Sequence, residues 1–507
     1  MTATAPARSD SAASAVTIDE ARRTDRSDGR IADALADIVG AANVLSAFDE
    51  RLPYAQDRLP FGNFRTRFGK LAGTMPGHVV RPADEAEVAG IVRLSRREGL
   101  RLIAYGLGSG VLGGAVPVSG ETVVDLSRLD RLVSIDTVDG TATVQAGMNG
   151  GAFEAALNEA GFTSGHLPQS LHISTVGGWA ACRGGGQASS RYGKIEDMVI
   201  GLRAVLPDGE ILEVRPVARR SVGPSIRDLL VGSEGTLGII TEVTLRIWRK
   251  PAVERGVVLA LPSLDAAWAT ARDIMQAELR PLVVRLYDAI ESRDRTEGMP
   301  QFASKPILAI LMFGGVEPVV SAEQKAALAI AAGHGAVVAS DGPYRHWQET
   351  RYVAYSQQWQ AKGYYNDTIE VAANWSRIPA MYAAMAAAVR EIAPDLHFGA
   401  HWSHVYPEGA CQYMTIRLPP MPEADALARH ARLWAAIEGL TLEHGGSIAH
   451  HHGVGLFRGP WMRRELGAGF DVLQAIKNAL DPGNLLNPGK LGLRPAEGAV
   501  QVGVDRV

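Results

Sequence analysis

The sequence predicts an α+β protein of more than one domain, and three observations carry that expectation. Its 507 residues exceed the roughly 250 to 300 at which a single core stops growing. Short strands and helices mix over Val80 to Lys250. After Pro251 the pattern changes to longer alternations of helix and strand, as a second domain would require.

Taken in order, Met1 to Arg30 is rich in Ala, Ser, Thr, Asp and Arg and has no apolar run of the kind a signal peptide needs, so it reads as a disordered tail, with order from Ile31. Asp84 to Gly99 reads as a helix: Asp84 is an N-cap candidate, Val88, Ile91 and Val92 share a face, and Gly99 stops it. A strand, Leu100 to Tyr105, runs into the glycine loop Tyr105 to Gly114. Thr122 to Leu126, Thr141 to Gln145 and Val199 to Leu206 read as strands, and Pro207-Asp208-Gly209 as a hairpin turn. Ser376 to Ala393 reads as a helix, and Leu480 to Leu491 is turn-rich.

Composition narrows the partners. A formal net charge of −4 gives no electrostatic reason to expect nucleic acid or an anionic membrane, and no apolar run approaches the roughly 20 residues of a membrane span. With only Cys182 and Cys411 there is no disulfide framework and no cysteine-ligated zinc cluster, which fits a reducing compartment and a cytoplasmic home. A small molecule is the expected partner.

Three glycine segments organise the first half. In Tyr105 to Gly114 the missing side chains let backbone amides converge on an anion, although tight backbone geometry alone would also call for glycines. Gly165 to Gly186 is too dense in glycine and hydroxyl residues for a core helix, and Gly232 to Ile247 enters a strand whose first residues could bond an adenine. These segments, with LDPGNLLNPGKL at Leu480 to Leu491, resemble the flavin-binding layout of the superfamily of vanillyl-alcohol oxidase and p-cresol methylhydroxylase (PCMH). TSGHLPQSLHISTVGGW, YGKIEDMVIGLRAVLPDG, VGPSIRDLLVGSEGTLGIITEV and GGSIAHHHGVG are similar, segment by segment, to its alkyldihydroxyacetonephosphate synthase branch, over roughly Leu35 to Leu491.

That resemblance implies a PCMH-type FAD-binding domain of two α+β subdomains at 31–250, an α/β cap at 251–446 with an antiparallel sheet flanked by helices, a segment at 447–495 returning to the FAD domain, and a tail at 496–507. It implies FAD held by Gly106, Leu107, Gly108, Ser109 and Gly110, then by Gln169, Ser170, Ser174, Thr175 and Gly178. Cys182, Arg183, Gly184, Gly185, Glu234, Gly235, Thr236, Gly238, Ile239 and Ile240 would complete the shell, with Thr175 approaching the flavin. No histidine lies between Tyr105 and Gly114 to attach the flavin, so the FAD is expected to be non-covalent. A homodimer is a further expectation from the family.

For chemistry, the resemblance points to Arg285 near the substrate, Tyr413 as the proton-exchanging tyrosine, and His450, His451 and His452 as the family's triple histidine. His166 matches a histidine close to the cofactor, where it could equally stabilise its loop. HFGAHWSH, His397 to His404, keeps only the ends of a run similar to that of metal-assisted flavin 2-hydroxyacid dehydrogenases; His397, His404 and His451 could form a three-histidine metal site, or be hydrogen-bonding histidines. Where the synthase branch carries a phosphate-binding arginine, this chain has Ser356 and Gln357, so that charge-assisted contact is missing unless Arg351, one turn earlier if the segment is helical, compensates. Two activities follow: an oxidoreductase taking a hydride from a hydroxylated or phenolic substrate to flavin N5, which the missing arginine favours, or a synthase-like transferase of ether-lipid synthesis that uses flavin N5 covalently without net redox change.

Overall fold

The computed structural model describes residues 16–25, 27–353 and 356–503, without side chains at 356–358. Among them are three main sheets. A four-stranded sheet has the order Val44–Leu45, Val79–Val80, Thr122–Asp125, Leu102–Tyr105. The last three strands are parallel, and the helix Glu85–Glu98 makes the crossover. That helix forms for the reasons legible in its sequence: the Asp84 carboxylate accepts from the Glu87 amide at 2.9 Å, Val88, Ile91 and Val92 are buried, and Gly99 ends it at φ 69°. A five-stranded antiparallel sheet follows, in the order Leu132–Asp136, Thr141–Gln145, Ile239–Arg246, Val199–Val205, Ile211–Val214. Its two last strands are joined through the Pro207-Asp208-Gly209 turn.

The second half is built on a seven-stranded antiparallel sheet. Its order is Val337–Val338, Val253–Leu261, Ile307–Gly315, Val283–Tyr287, His397–Val405, Gly409–Leu418, Tyr365–Asn374. Both faces are covered, and the alternation of side chains shows how. Val257, Leu259 and Leu261 join a core with Trp268, Val320, Met381 and Trp434 from the helices Leu264–Gln276, Glu317–Gly333, Ile378–Ile392 and Glu423–Glu443. Val258 and Ala260 turn to the opposite side and pack with Ala188, Tyr287, Tyr344 and Trp347. This second face looks towards the glycine segments.

Two expectations about the ends are corrected. Helices occupy Ile18–Thr24 and Gly29–Val39, ahead of the expected start at Ile31, because Thr17 and Asp28 cap them, each accepting a backbone amide of the first turn. The expected tail at 496–507 is packed in its described part: the Val500 amide donates to the Val118 carbonyl and Val502 is buried. The rest of both expected tails, 1–15 and 504–507, lies outside the described residues. The chain after the helix Ala468–Leu480 does return to the first sheets. Leu486 bridges Leu102, and the buried Lys490 ammonium donates to the Val116 carbonyl at 2.8 Å.

Candidate active site between the glycine segments and the antiparallel sheet

The glycine loop leaves the C-terminal end of the parallel strand Leu102–Tyr105, the edge at which open α/β sheets bind ligands. Among the described residues, the amides of Leu107, Gly108, Ser109 and Gly110 donate no hydrogen bond within the chain, so they are available to an anion. Gly106 and Gly108 are required by close approach: a Cβ on Gly106 would meet Thr175 Oγ1 at 2.5 Å, and one on Gly108, at φ +61°, would meet the Tyr105 hydroxyl at 2.1 Å. Thr175 caps the helix Val176–Cys182, its Oγ1 accepting from the Gly178 amide at 3.2 Å. On its outer side the loop borders a cavity of about 530 Å³ lined by Tyr54, Tyr105, Leu107 and Asp125. Unused amides beside a helix N-terminus suit a dinucleotide phosphate, so the residues present fit FAD.

Other expected shell residues have structural duties. Ser174 Oγ donates to the Ser170 carbonyl and accepts from the Trp179 indole. Gln169 donates to the Val353 carbonyl. Cys182 and Arg183 end the capped helix, Arg183 in a left-handed conformation. Gly184 and Gly185 lie against histidines: a Cβ on Gly184 would meet His166 at 3.6 Å, and one on Gly185 would meet His451 at 3.0 Å. In the third segment, at 234–240, Gly235 adopts φ +75°, while Gly238, Ile239 and Ile240 bring the chain into the five-stranded sheet. Glu234 is bonded within the chain on every side. Its carboxylate accepts from the Val454 and Gly455 amides at 2.6 and 2.8 Å, its amide donates to Ala181, and its carbonyl takes the Asn487 amide group. Thr236 is likewise spent, its hydroxyl donating to the Ser233 carbonyl and its own carbonyl accepting from Lys477.

Facing these segments, cross-strand pairing aligns a row of side chains on one face of the antiparallel sheet. Tyr287 pairs with His401, His401 with Tyr413, and Tyr413 with Glu370. The His401 and Tyr413 rings stack at 4.8 Å. Over the row lies the triple histidine, held by the buried Glu370 carboxylate, which accepts from the His450 amide at 2.6 Å and the His452 amide at 2.9 Å. The Arg458 guanidinium donates to that carboxylate at 2.8 Å and to Glu438 at 3.0 Å. His452 lies edge-on to Tyr413 with centroids 5.6 Å apart, and His450 Nδ1 and His451 Nδ1 are 3.0 Å apart. His450 Nε2 also meets the Tyr406 hydroxyl at 3.0 Å.

Electrostatics make this a set of neutral proton acceptors. Burial holds the imidazoles of His404, His450 and His451 well below their ordinary value, with neighbouring histidines and Lys194 adding to the effect. His401 is pushed down to about 4 by burial and by Arg285. Burial, with Glu370 and Cys411 nearby, raises the Tyr413 phenol well above its ordinary value, so Tyr413 is a proton donor at neutral pH. His166 is fully buried, is pushed down to about 3 chiefly by that burial, lies tilted against Trp179 with ring centroids 4.6 Å apart, and has no hydrogen-bond partner on either ring nitrogen among the described residues.

Of the two readings open for His397, His404 and His451, the metal triad does not assemble. His404 and His451 lie close, centroids 4.6 Å apart, but His397 starts the strand whose far end holds His404 and bonds Arg417 and Asp294 instead. Seven residues of extended chain span roughly 23 Å. Among the described residues, metal-ligating atoms converge on a different set, Glu370, Cys411, His450 and His451, within 4.8 Å of one another. Sequence reading also missed His401, Tyr287 and Glu370. Alternation along YNDTIEVAAN could have marked Glu370 as an acid on a buried face, but only the register places it opposite Tyr413.

Comparisons with known proteins agree with this layout. A model described as an FAD binding domain matches residues 76–215, and one described as the C-terminal domain of FAD linked oxidases matches residues 250–491. An alkyldihydroxyacetonephosphate synthase of Trypanosoma brucei brucei is 30% identical over 450 residues, covering 82% of this chain and 73% of that protein. An uncharacterized FAD-linked oxidoreductase, YgcU of Escherichia coli O157:H7, is 31% identical, covering 91% and 98%. The crystal structure of p-cresol methylhydroxylase with substrate bound superposes with a TM-score of 0.73 at 16% identity, over 92% of this chain and 97% of that one, which shows the shared PCMH-type fold. Among the described residues no helix is long and apolar enough to cross a membrane.

Proposed function

The chain belongs to the FAD-linked oxidase family, with both its FAD binding domain and its C-terminal domain, and from that premise we propose that it is an oxidoreductase acting on a hydroxylated or phenolic small molecule. The observation that carries this reading is the row Tyr287, His401, Tyr413 and Glu370 beneath three neutral histidines. Bound FAD supplies the acceptor for a hydride. The chain's own part is to remove the proton of the substrate hydroxyl, and a neutral imidazole of His450, His451 or His452 has the free lone pair to take it. Tyr413, held protonated, donates a hydrogen bond to the same oxygen. Glu370 positions the histidine loop through two amides and does not itself reach out of it. Gly106 to Gly110 would hold the FAD pyrophosphate and Thr175 would lie beside the flavin, without a covalent link.

The alternative is a synthase-like exchange of an acyl for an alkyl group without net redox change, supported by the Trypanosoma relative and by the retained Tyr413 and triple histidine. Against it stands the absence of arginine at 356 and 357, positions whose side chains lie outside the described residues. Anaerobic mixing of the FAD-loaded protein with hydroxy acids, phenolic alcohols and acyl-dihydroxyacetone phosphate separates the two. Bleaching by a hydroxy compound, reversed only by oxygen or an added acceptor, is the expected result. Bleaching by the acyl phosphate alone, reversed by fatty alcohol without oxygen, would overturn it.

A further inference from the structure

A hydrogen-bonded chain leads away from the triple histidine through two hydroxyl groups to a fourth imidazole. His450 Nδ1 lies 3.0 Å from His451 Nδ1, and His450 Nε2 lies 3.0 Å from the Tyr406 hydroxyl. That hydroxyl donates to Ser189 Oγ at 3.4 Å, and Ser189 Oγ is 2.7 Å from His404 Nδ1. Ser189 opens the short helix Ser189–Tyr192, which is held to the strand His397–Val405 by the Val405 amide donating to Ser190 Oγ at 3.1 Å. The bulge at His404, with φ 50°, brings its ring round to the serine. The chain also folds back on itself: the His404 and His451 rings are 4.6 Å apart, and a Cβ on Gly185 would meet both residues, at 3.4 and 3.0 Å.

The proton count lets such a chain conduct. A neutral imidazole carries one N–H and one lone pair, and a hydroxyl donates one hydrogen bond while accepting another. Burial keeps the three imidazoles and the Tyr406 phenol neutral. The links are therefore satisfied in either of two senses. In one, His451 Nδ1, His450 Nε2, Tyr406 and Ser189 all donate towards His404; in the other, His404 Nδ1, Ser189, Tyr406 and His450 Nδ1 all donate towards His451. Moving every proton one place converts the first sense into the second and carries one positive charge from end to end. Nothing holds that charge inside the chain. The Lys194 ammonium donates to the His450 carbonyl, and Arg285, bonded through Nε to the Tyr287 hydroxyl at 2.9 Å, acts on His404; both disfavour an imidazolium. His450 has both ring nitrogens engaged and is an interior link, whereas His451 Nε2 and His404 Nε2 make no hydrogen bond within the chain among the described residues.

We propose that His450, Tyr406, Ser189 and His404 form a proton relay that drains His451. His451 Nε2 takes the proton of the substrate hydroxyl, each member passes its own proton one place along, and His404 releases one from Nε2 to water. No electrons move in the relay, and one proton leaves for each that enters. The reverse passage, from water to His404 Nε2 and out at His451 Nε2, restores the starting arrangement. The inference rests on the proposed function for the source of the proton, and it deepens that reading by naming the histidine that takes the proton and the route by which it leaves. Tyr406 and Ser189 act through the imidazoles on either side of them. Their mutual link is the longest and must shorten for a transfer, so it is the place to cut the relay.

The test compares the FAD-loaded native chain with Tyr406→Phe and Ser189→Ala, each of which removes one hydroxyl and leaves the remaining side-chain atoms in place. Ring-nitrogen NMR shifts of isotope-labelled histidines read the chain without turnover. Both senses give His450 and His404 the same tautomer, so either substitution is expected to move the shifts of both rings, although each lost hydroxyl bonds only one of them. With a hydroxy compound that bleaches the flavin, the rate of reduction in mixtures of light and heavy water is expected to depend on the deuterium fraction along a curve in the native chain, the mark of several protons in motion. In both variants the dependence is expected to be linear and the rate about tenfold to a hundredfold lower. Shifts confined to the ring that the lost hydroxyl bonds, a linear dependence in the native chain, or slower reduction with the native curve intact would overturn the relay. Failure of every hydroxy compound to bleach the flavin would instead remove the redox reading, and the nitrogen shifts alone would then decide for or against the relay.

Discussion

Two carboxylates share the Arg458 guanidinium, and replacing them one at a time separates a charged partner from a neutral one. Glu370, Glu438 and Arg458 have fully buried side chains. The charge of Arg458 holds the Glu370 carboxyl below its ordinary value against burial, while Glu438 is pushed up to about 8, chiefly by burial. At pH 7 the pair is therefore Glu370⁻ with Arg458⁺, and Glu438 is mostly protonated. Its Oε2 has no hydrogen-bond partner among the described residues. Breaking a buried ion pair costs about 3 to 5 kcal/mol; in Glu370→Gln, Glu438 can ionise and take over Arg458, so the loss is expected near the lower end, about 3 kcal/mol. Glu438→Gln replaces a neutral acid by a neutral amide and should cost below about 1 kcal/mol. A raised carboxyl stabilises the fold fully below its unfolded value, near pH 4.5, and that contribution is lost as pH rises through 8. The native chain should therefore lose stability from this group between those limits, and Glu370→Gln should lose less. Guanidinium denaturation with saturating FAD, repeated from pH 5 to 8.5, measures all three chains. Equal costs for the two substitutions at pH 7 would refute the assignment of the charge to Glu370.

Other expectations follow from the same geometry. His166 and His401, pushed down to about 3 and about 4, are neutral when folded, so their contribution is complete above pH 6.5 and is lost as pH falls towards those values. At pH 5 each should cost about 2 kcal/mol relative to neutral pH, seen as an acid-side fall in denaturation midpoint that His401→Gln reduces. Tyr413→Phe should slow substrate-driven flavin reduction by about a hundredfold or more while leaving FAD affinity unchanged, measured by stopped-flow absorbance. Gly106→Ala places a methyl 2.5 Å from Thr175 Oγ1 and should weaken FAD binding by about tenfold or more, read from flavin fluorescence on titration.

How much of this was legible in the chain depends on how far apart the interacting residues lie. The helix Glu85–Glu98, its cap and its stop are local, and the sequence shows them. The glycine loop follows a strand and could be placed at a sheet edge from sequence alone, and the family resemblance supplied the triple histidine and Tyr413. The row Tyr287, His401, Tyr413 and Glu370 could not be read, because it is made by register between strands far apart in the chain. Alternation gives the parity of a side chain but not its partner. Parity itself fails at His404: a bulge between Ser403 and Val405, with His404 at φ 50°, lets it meet His450 and His451. Of the two readings open for His397, His404 and His451, the metal triad could have been set aside on geometry. Two histidines seven apart are neighbours on a helix, after about two turns, but on a strand they stand roughly 23 Å apart. Phe398, Trp402 and Val405 already favour a strand in that run, so strand geometry argues from the sequence alone against His397 and His404 sharing an ion.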